Sequence, residues 1–468
     1  MLTTSAAFYF LATFYYRRKI LTSIKLKINI LLIFFFANLP SALFPQVSDT
    51  LFFSGEYSVK VDSIKIEGNA VTKPDVILRE LTFGPGDFVT PKIISYNVDR
   101  VYSLGIFTRV NLIPYRYNKT NIVLIKVEES WYIYPLPFVE FQDRDWKKIS
   151  YGLNILVRNF RGENETVRAT AALGYDPKLM LYYDHPYFIR SQSIYFTAGL
   201  NYQNAKNKSS LANQLYGGDF NQKFITGSVD LGKRFGLFNK LDLYVGYNYV
   251  ESPVYIKGIS ASDGRIDRQF SLGASYQFDT RDLAQFPGTG TYLYANLQLN
   301  GFGMNNISYQ IANLDIRKYF TLWNSLISKF RFATRMTFGR LVPYYDFSYF
   351  GYNERIRGYF THEMEGNNSY FGSAELNYPI IKDLNISFDF LPVIPRSLLT
   401  YRFAMYVELF TDTGVTTLWG QPLSIKNFNT GYGTGIVFLI LPYSQLRTEI
   451  AFNEFGQSQF ILGLGTSF

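Results

Sequence analysis

The sequence predicts a mainly β protein, an antiparallel transmembrane β-barrel of about 16 strands preceded by one small α+β domain of order β-α-α-β-β. Three observations carry this. The 468 residues are 47% hydrophobic and 18% aromatic, with 38 Tyr and 43 Phe against 4 Trp, yet the mean hydropathy lies close to zero. A strand that shows lipid one face and a polar lumen the other averages out in this way. From Tyr134 to Phe468 short runs alternate apolar and polar residues, whereas between Val61 and Leu104 part of the apolar spacing is helical.

Composition also excludes functions. With no cysteine there is no disulfide framework, thiolate metal site or thiol nucleophile. Net charge is +9, and about half of it comes from Arg17, Arg18, Lys19, Lys25 and Lys27. The remainder is too small and too dispersed for a nucleic-acid footprint. Only His185 and His362 occur, and no phosphate loop or nucleophile elbow is present, so neither catalysis nor a metal or cofactor site is expected.

In chain order, residues 1–47 read as a targeting segment. Lys25 and Lys27 precede "INILLIFFFANLPSAL", which has the length of a signal-peptide core and ends on the small residues Ser41 and Ala42. A second apolar run, "AAFYFLATFYY", lies upstream, and the true start is expected downstream of it. Residues 48–60 form a linker. Beyond residue 50 no uninterrupted run of ~18 apolar residues offers a helical span.

Residues 61–130 form the small domain. "VDSIKIEGNAV" reads as a strand into a turn, and "TKPDVILREL" places Pro74 where a first helical turn tolerates it. A second helix follows Pro91, and "RVNLIPYRY" and "NIVLIKVEES" pair across Asn118–Asn121. The pattern fits any small α+β domain. "IKIEGNAVTKPDVILREL" and "VYSLGIFTRVNL" are nevertheless similar to a POTRA repeat, the periplasmic polypeptide-transport module, and a single copy is visible. That resemblance implies client binding by strand addition at a sheet edge.

Residues 134–468 divided among about 16 strands allow roughly 21 residues for each strand and its connection. Short connections such as "RNFRGEN", "RFGLFNK" and "LPYSQ" fall on one side, and long polar ones at 203–221, 252–266 and 340–366 on the other. Connections at 279–290 and 379–400 are longer than that rule wants. A soluble sandwich or propeller would also alternate. In the final run "QFILGLGTSF", Phe460, Leu462, Leu464 and Phe468 share one face while Gly463, Gly465 and Ser467 share the other, which resembles the C-terminal insertion signal of outer-membrane barrels.

The long connection at 340–366 holds "ERIRGYF", ahead of strand 12. In the following strands, period-two alternation turns Ser373, Glu375 and Asn377, then Glu408 and Asp412, to the polar side. The planar fork of Arg357 can bridge two carboxylates, and Gly358 permits the tight turn that would insert it. "IRGY", "AELNYP", "FTDTG", "NFRGENETV", "YYDHPYF" and "GYGTGIVFLILPYSQLRTEIAF" together resemble the BamA superfamily of outer-membrane assembly and translocation barrels, from about residue 60 to the C-terminus. The resemblance implies an inserted-loop motif at Arg357, Gly358 and Tyr359, with Glu375 and Asp412 as the lumenal acids that hold the arginine. Stability alone, a loop tied in as a plug, would explain the same cluster.

The expected function is outer-membrane protein assembly or insertion through a lateral barrel seam, without nucleotide. Alternatives are a polypeptide secretion pore of the two-partner type and a passive pore. Expected partners are unfolded outer-membrane or secreted client polypeptides, the lipid bilayer, and accessory periplasmic or lipoprotein subunits. The expected location is the bacterial outer membrane with the N-terminal domain in the periplasm.

Overall fold

The computed structural model describes residues 58–141, 148–323, 325–351, 354–359, 362–388, 398–442 and 444–465. The expected targeting segment, most of the linker, and Phe468 lie outside these residues.

The small domain opens with β1 (Val59–Lys60) and β2 (Ser63–Glu67), followed by α1 (Pro74–Leu78), β3 (Phe88–Val89), α2 (Pro91–Tyr102), β4 (Phe107–Tyr117) and β5 (Thr120–Glu129). The sheet order is β2-β5-β4, with β2 parallel and β4 antiparallel to β5, and β1 pairs separately with β3. Proline opens both helices, where its missing N–H costs no intrahelical bond. The Thr90 hydroxyl accepts from the Ile93 N–H at 3.3 Å and caps α2. α1 ends at Leu78, short of the Leu81 that closes the run "TKPDVILREL". Val61, Ile77, Val101, Ile106, Phe107 and Ile125 form the core between helices and sheet.

Sixteen antiparallel strands follow as one sheet in sequence order. They are β6 (Ile133–Phe141), β7 (Ile149–Phe160), β8 (Glu165–Gly174), β9 (Lys178–Ile189), β10 (Ile194–Lys206), β11 (Asn221–Phe235), β12 (Asn239–Glu251), β13 (Ile266–Asp279), β14 (Gly290–Asn300), β15 (Tyr309–Leu322), β16 (Leu326–Gly339), β19 (Asn368–Ser387), β20 (Thr400–Thr417), β21 (Asn429–Leu441), β22 (Ser444–Asn453) and β23 (Ser458–Leu464). A hairpin of β17 (Ser348–Phe350) and β18 (Met364–Gly366) interrupts the sequence between β16 and β19. The first part of the connection expected at 379–400 is strand, because β19 runs on to Ser387, and β20 begins at Thr400. Large apolar residues such as Leu243, Phe332, Leu409 and Leu462 point outward, and polar or charged neighbours turn inward, the parity expected of a lipid-facing band.

The rim beside the small domain is covered by that domain. Glu80 accepts from Arg100 of α2 at 2.7 Å and from Arg234 at the end of β11 at 2.5 and 2.9 Å. Asp99 of α2 pairs with Arg402 of β20 at 2.8 Å, and Arg158 of β7 donates to the Gly105 carbonyl at 3.1 Å. The domain core continues without a break into Tyr187, Ala404, Val437 and Leu439 of the barrel wall. The small domain is therefore fastened to strands far apart around the sheet.

The opposite rim is covered by its own loops. Connections at 207–220, 252–265, 301–308 and 340–349 contribute Ala212, Phe220, Ile256, Ile307, Val342 and Tyr344 to a second hydrophobic cluster. α3 (Ser210–Tyr216) lies in the first of these, where Glu365 accepts from the Ser210 hydroxyl at 2.6 Å and the Leu211 N–H at 2.7 Å. The Tyr344 hydroxyl accepts from Gln222 at 2.6 Å and lies 2.7 Å from the Ser252 hydroxyl, so these polar groups are paired on burial.

Candidate functional site

The connection between β16 and β19 folds back into the lumen. Ile356 and Tyr359 pack with Phe350 and Phe371 on a small buried cluster, which fixes the segment on both sides of Arg357. Gly358 has φ +98, and a Cβ there would lie 2.7 Å from the Phe452 carbonyl oxygen. At Gly431 of β21 an added Cβ would lie 1.6 Å from the Arg357 carbonyl oxygen, so the wall itself must be side-chain-free where the loop touches it.

Arg357 is 6% exposed and is gripped by acids on three strands. Its Nε donates to Asp412 Oδ2 at 2.6 Å and its Nη2 to Oδ1 at 2.7 Å, a bidentate fork that the Arg357 backbone N–H supplements at 3.1 Å. Ser373 donates to Asp412 Oδ1 at 2.6 Å and so orients that carboxylate. Nη1 reaches Glu375 Oε1 at 2.8 Å and Glu449 Oε1 at 3.2 Å, while Glu408 stands 3.9 Å away. The guanidinium plane lies 3.7 Å from the centroid of the Phe410 ring. Each acid arrives there by period-two alternation: Glu375 on β19, Glu408 and Asp412 on β20, Glu449 on β22. A second tie holds the loop to the wall, because Arg331 of β16 bonds Glu354 at 2.8 Å and Asp315 of β15 at 3.0 Å.

Of the residues singled out in sequence, Arg357, Glu375 and Asp412 meet directly. Gly358 makes the turn, and Tyr359 packs beside it rather than on the acids. Phe460, Leu462 and Leu464 project outward from β23 at 61, 60 and 79% exposure. Sequence reading missed Glu449, Phe410, Lys329 and the Glu354–Arg331 tie. Glu449 carries the same signal as Glu375, an acid alternating with the outward residue Ile450, but nothing in the sequence says which strand lies opposite the loop. Among the described residues no group of His, Asp and Glu has the geometry to hold a metal.

β6 and β23 are the two ends of the sheet, and their outer edges define the seam. Among the described residues no ladder joins β6 to β23. The Arg158 N–H donates to the Tyr132 carbonyl at 2.8 Å, and Ile133 lies opposite Val157. Antiparallel pairing then turns the backbone groups of even-numbered residues of β6 toward β7, and those of odd-numbered residues toward the seam. Pro135 and Pro137 are odd. The seam edge of β6 thus lacks two donors. On β23 the Gly465 N–H bonds Gln445 at 2.8 Å, so the N–H groups of Phe460, Leu462 and Leu464 face the seam.

Comparison with known proteins places this architecture. Residues 159–468 match the Omp85 superfamily domain, and residues 59–130 match the POTRA family described as surface antigen variable number repeat. No curated protein matches the chain in sequence. Among solved structures, BamA from Haemophilus ducreyi lacking POTRA domains 1–3 is similar at 16% identity and a TM-score of 0.50, covering 87% of this chain and 84% of that one. CdiB from Escherichia coli is similar at 10% identity and a TM-score of 0.52, covering 86% and 75%. These structural likenesses show the fold, and the domain match spans most of the chain: the protein belongs to the Omp85 superfamily, a bacterial outer-membrane β-barrel of sixteen strands carrying one POTRA domain.

Proposed function

We propose that the protein is an outer-membrane assembly factor that receives client polypeptides at the β6–β23 seam, holds its POTRA domain in the periplasm, and works without nucleotide, cofactor or catalytic chemistry. The observation that carries this reading is the seam edge of β6, where Pro135 and Pro137 remove donors that a closed barrel would use. A client strand can compete for such an edge, since each backbone hydrogen bond contributes only about 1 kcal/mol net and here fewer must be displaced. Burial of the client's own apolar face in lipid then supplies the driving free energy.

The covered rims support the same reading. With α2 across one mouth and the Tyr344 cluster across the other, the lateral route is the one left least obstructed. Arg357 acts by holding its loop against β20–β22, the strands leading to the seam, and so keeps that wall in register while the edge exchanges partners.

Photo-crosslinking separates this function from secretion through the lumen and from a passive pore. A crosslinker at Val139 on β6 or Leu462 on β23 should trap nascent client, whereas one at the lumenal Asp230 should not. Client trapped only at Asp230 would overturn the proposal in favour of secretion. No trapped client at any position would leave a passive barrel.

A further inference from the structure

We infer that Lys329 is a second buried cation of the loop anchor, a positioning residue that links the turn beneath α2 to the loop held by Arg357. Lys329 lies on β16 and is 5% exposed, with Phe330 turned outward beside it. A lysine normally extends its amine to water along an apolar stem. Here the amine ends 3.5 Å from Glu375 Oε2, on the carboxylate whose other oxygen meets Arg357 at 2.8 Å. It also lies 3.8 Å from the centroid of the Phe286 ring.

Phe286 does not belong to the wall. It sits on the connection at 280–289, which enters the lumen from the POTRA side, and its ring packs on Tyr406 of β20 at 4.5 Å. That connection is fastened to α2: the Ala284 N–H donates to the Ser103 hydroxyl at 2.9 Å, and the Tyr96 hydroxyl donates to the Thr280 carbonyl at 3.1 Å. A continuous physical chain therefore runs from α2 through Phe286, Lys329 and Glu375 to Arg357.

Charge supplies the reason for a lysine at this position. Glu375, Glu408, Asp412 and Glu449 gather four carboxylates, against which Arg357 and Arg447 bring two cations. Lys329 adds the third. Without it Glu375 would share a single cation with three other acids in a desolvated space, where unpaired charge is costly. The Phe286 face compensates the desolvated amine, so loss of that ring weakens the grip of Lys329 on Glu375.

The inference rests on the loop's placement and not on the client, so it is read without client present. The chain has no cysteine, and Ile356→Cys puts one label site beside Arg357 at a position 1% exposed. A membrane-impermeant maleimide added from outside then reports loop release. In that background Lys329→Met should speed labelling about ten-fold, as expected when a buried pair loses one partner, and Lys329→Arg should restore the slow rate. Phe286→Ala should speed labelling as well, and adding it to Lys329→Met should change nothing further. Unchanged labelling in Lys329→Met, or effects of the two substitutions that multiply independently, would overturn the inference. If Lys329→Met fails to insert, Phe286→Leu decides: faster labelling in that folded variant supports the link through the ring face, and a wild-type rate refutes it. A failure of the seam crosslinking above would leave this result standing.

Discussion

A buried arginine is stable in this lumen because its donors meet oxygens fixed by three separate strands, with an aromatic face beneath the guanidinium plane. Lysine at the same position keeps the charge and loses the fork. Arg357→Lys should therefore destabilise the barrel nearly as much as Arg357→Ala, by about 3–5 kcal/mol, the cost of breaking a buried pair from one side. Heat-modifiable gel mobility would register it as a lower transition temperature. Gly431→Ala attacks the same contact from the wall: its Cβ meets the Arg357 carbonyl, so the loop should be expelled and become cleavable by external protease while the strands stay intact. Glu375 and Asp412 were legible in sequence as inward acids because parity fixes which way a strand residue points, whereas Arg357 was singled out by the resemblance of "IRGY" to an inserted-loop motif. Glu449 and Lys329 carry the same parity, yet their meeting depends on how far the loop descends and on which strand lies beside it. Those facts belong to register and tertiary packing, not to any local window.

At the scale of elements, the structure turns charge of the small domain, Glu80 beyond α1 and Asp99 on α2, onto the barrel rim. Burial pushes the Glu80 carboxyl up, but hydrogen bonds and charge from Arg234 and then Arg100 outweigh it, so the group titrates below its ordinary value. A depressed carboxylate contributes stability that is full above its unfolded pKa, ~4.3, and is lost as pH falls through the folded value. Burial pushes Asp99 up against the pull of Arg402, which gives the opposite and opposing slope. Relative to Glu80→Gln, protection of the α2 amides, corrected for intrinsic exchange, should be higher by a constant factor from neutral pH down to ~4.3. Below it this excess should be lost, because the opposing slope of Asp99 is common to both proteins. The seam is the other decisive element. Pro135→Ala with Pro137→Ala restores two donors to the edge of β6, worth about 1 kcal/mol each. The double variant should melt higher on heat-modifiability gels and assemble clients more slowly. In the run "YPLPFVEF" the two prolines mark a weak strand from sequence alone, whereas the direction in which they point required the register with β7.

For the whole molecule, the strand number, the small domain ahead of it and the alternation of long and short connections were all written in periodicity. The covering of both rims was not, because Tyr344, Phe220 and Ile256 stand in long polar connections whose few apolar residues meet only when four loops converge. A barrel filled in this way should pass far less current in planar bilayers than an open cylinder of sixteen strands. Arg234→Ala together with Arg402→Ala, which removes barrel-side partners of Glu80 and Asp99, should raise the conductance several-fold. The double stopper carries a consequence for the cell that bears it. An outer envelope holding many copies of a wide cylinder stays tight to bile salts and bulky antibiotics only while each copy is shut. Variants that loosen α2 should therefore betray themselves first as drug sensitivity, before any defect in the proteome of the envelope is seen.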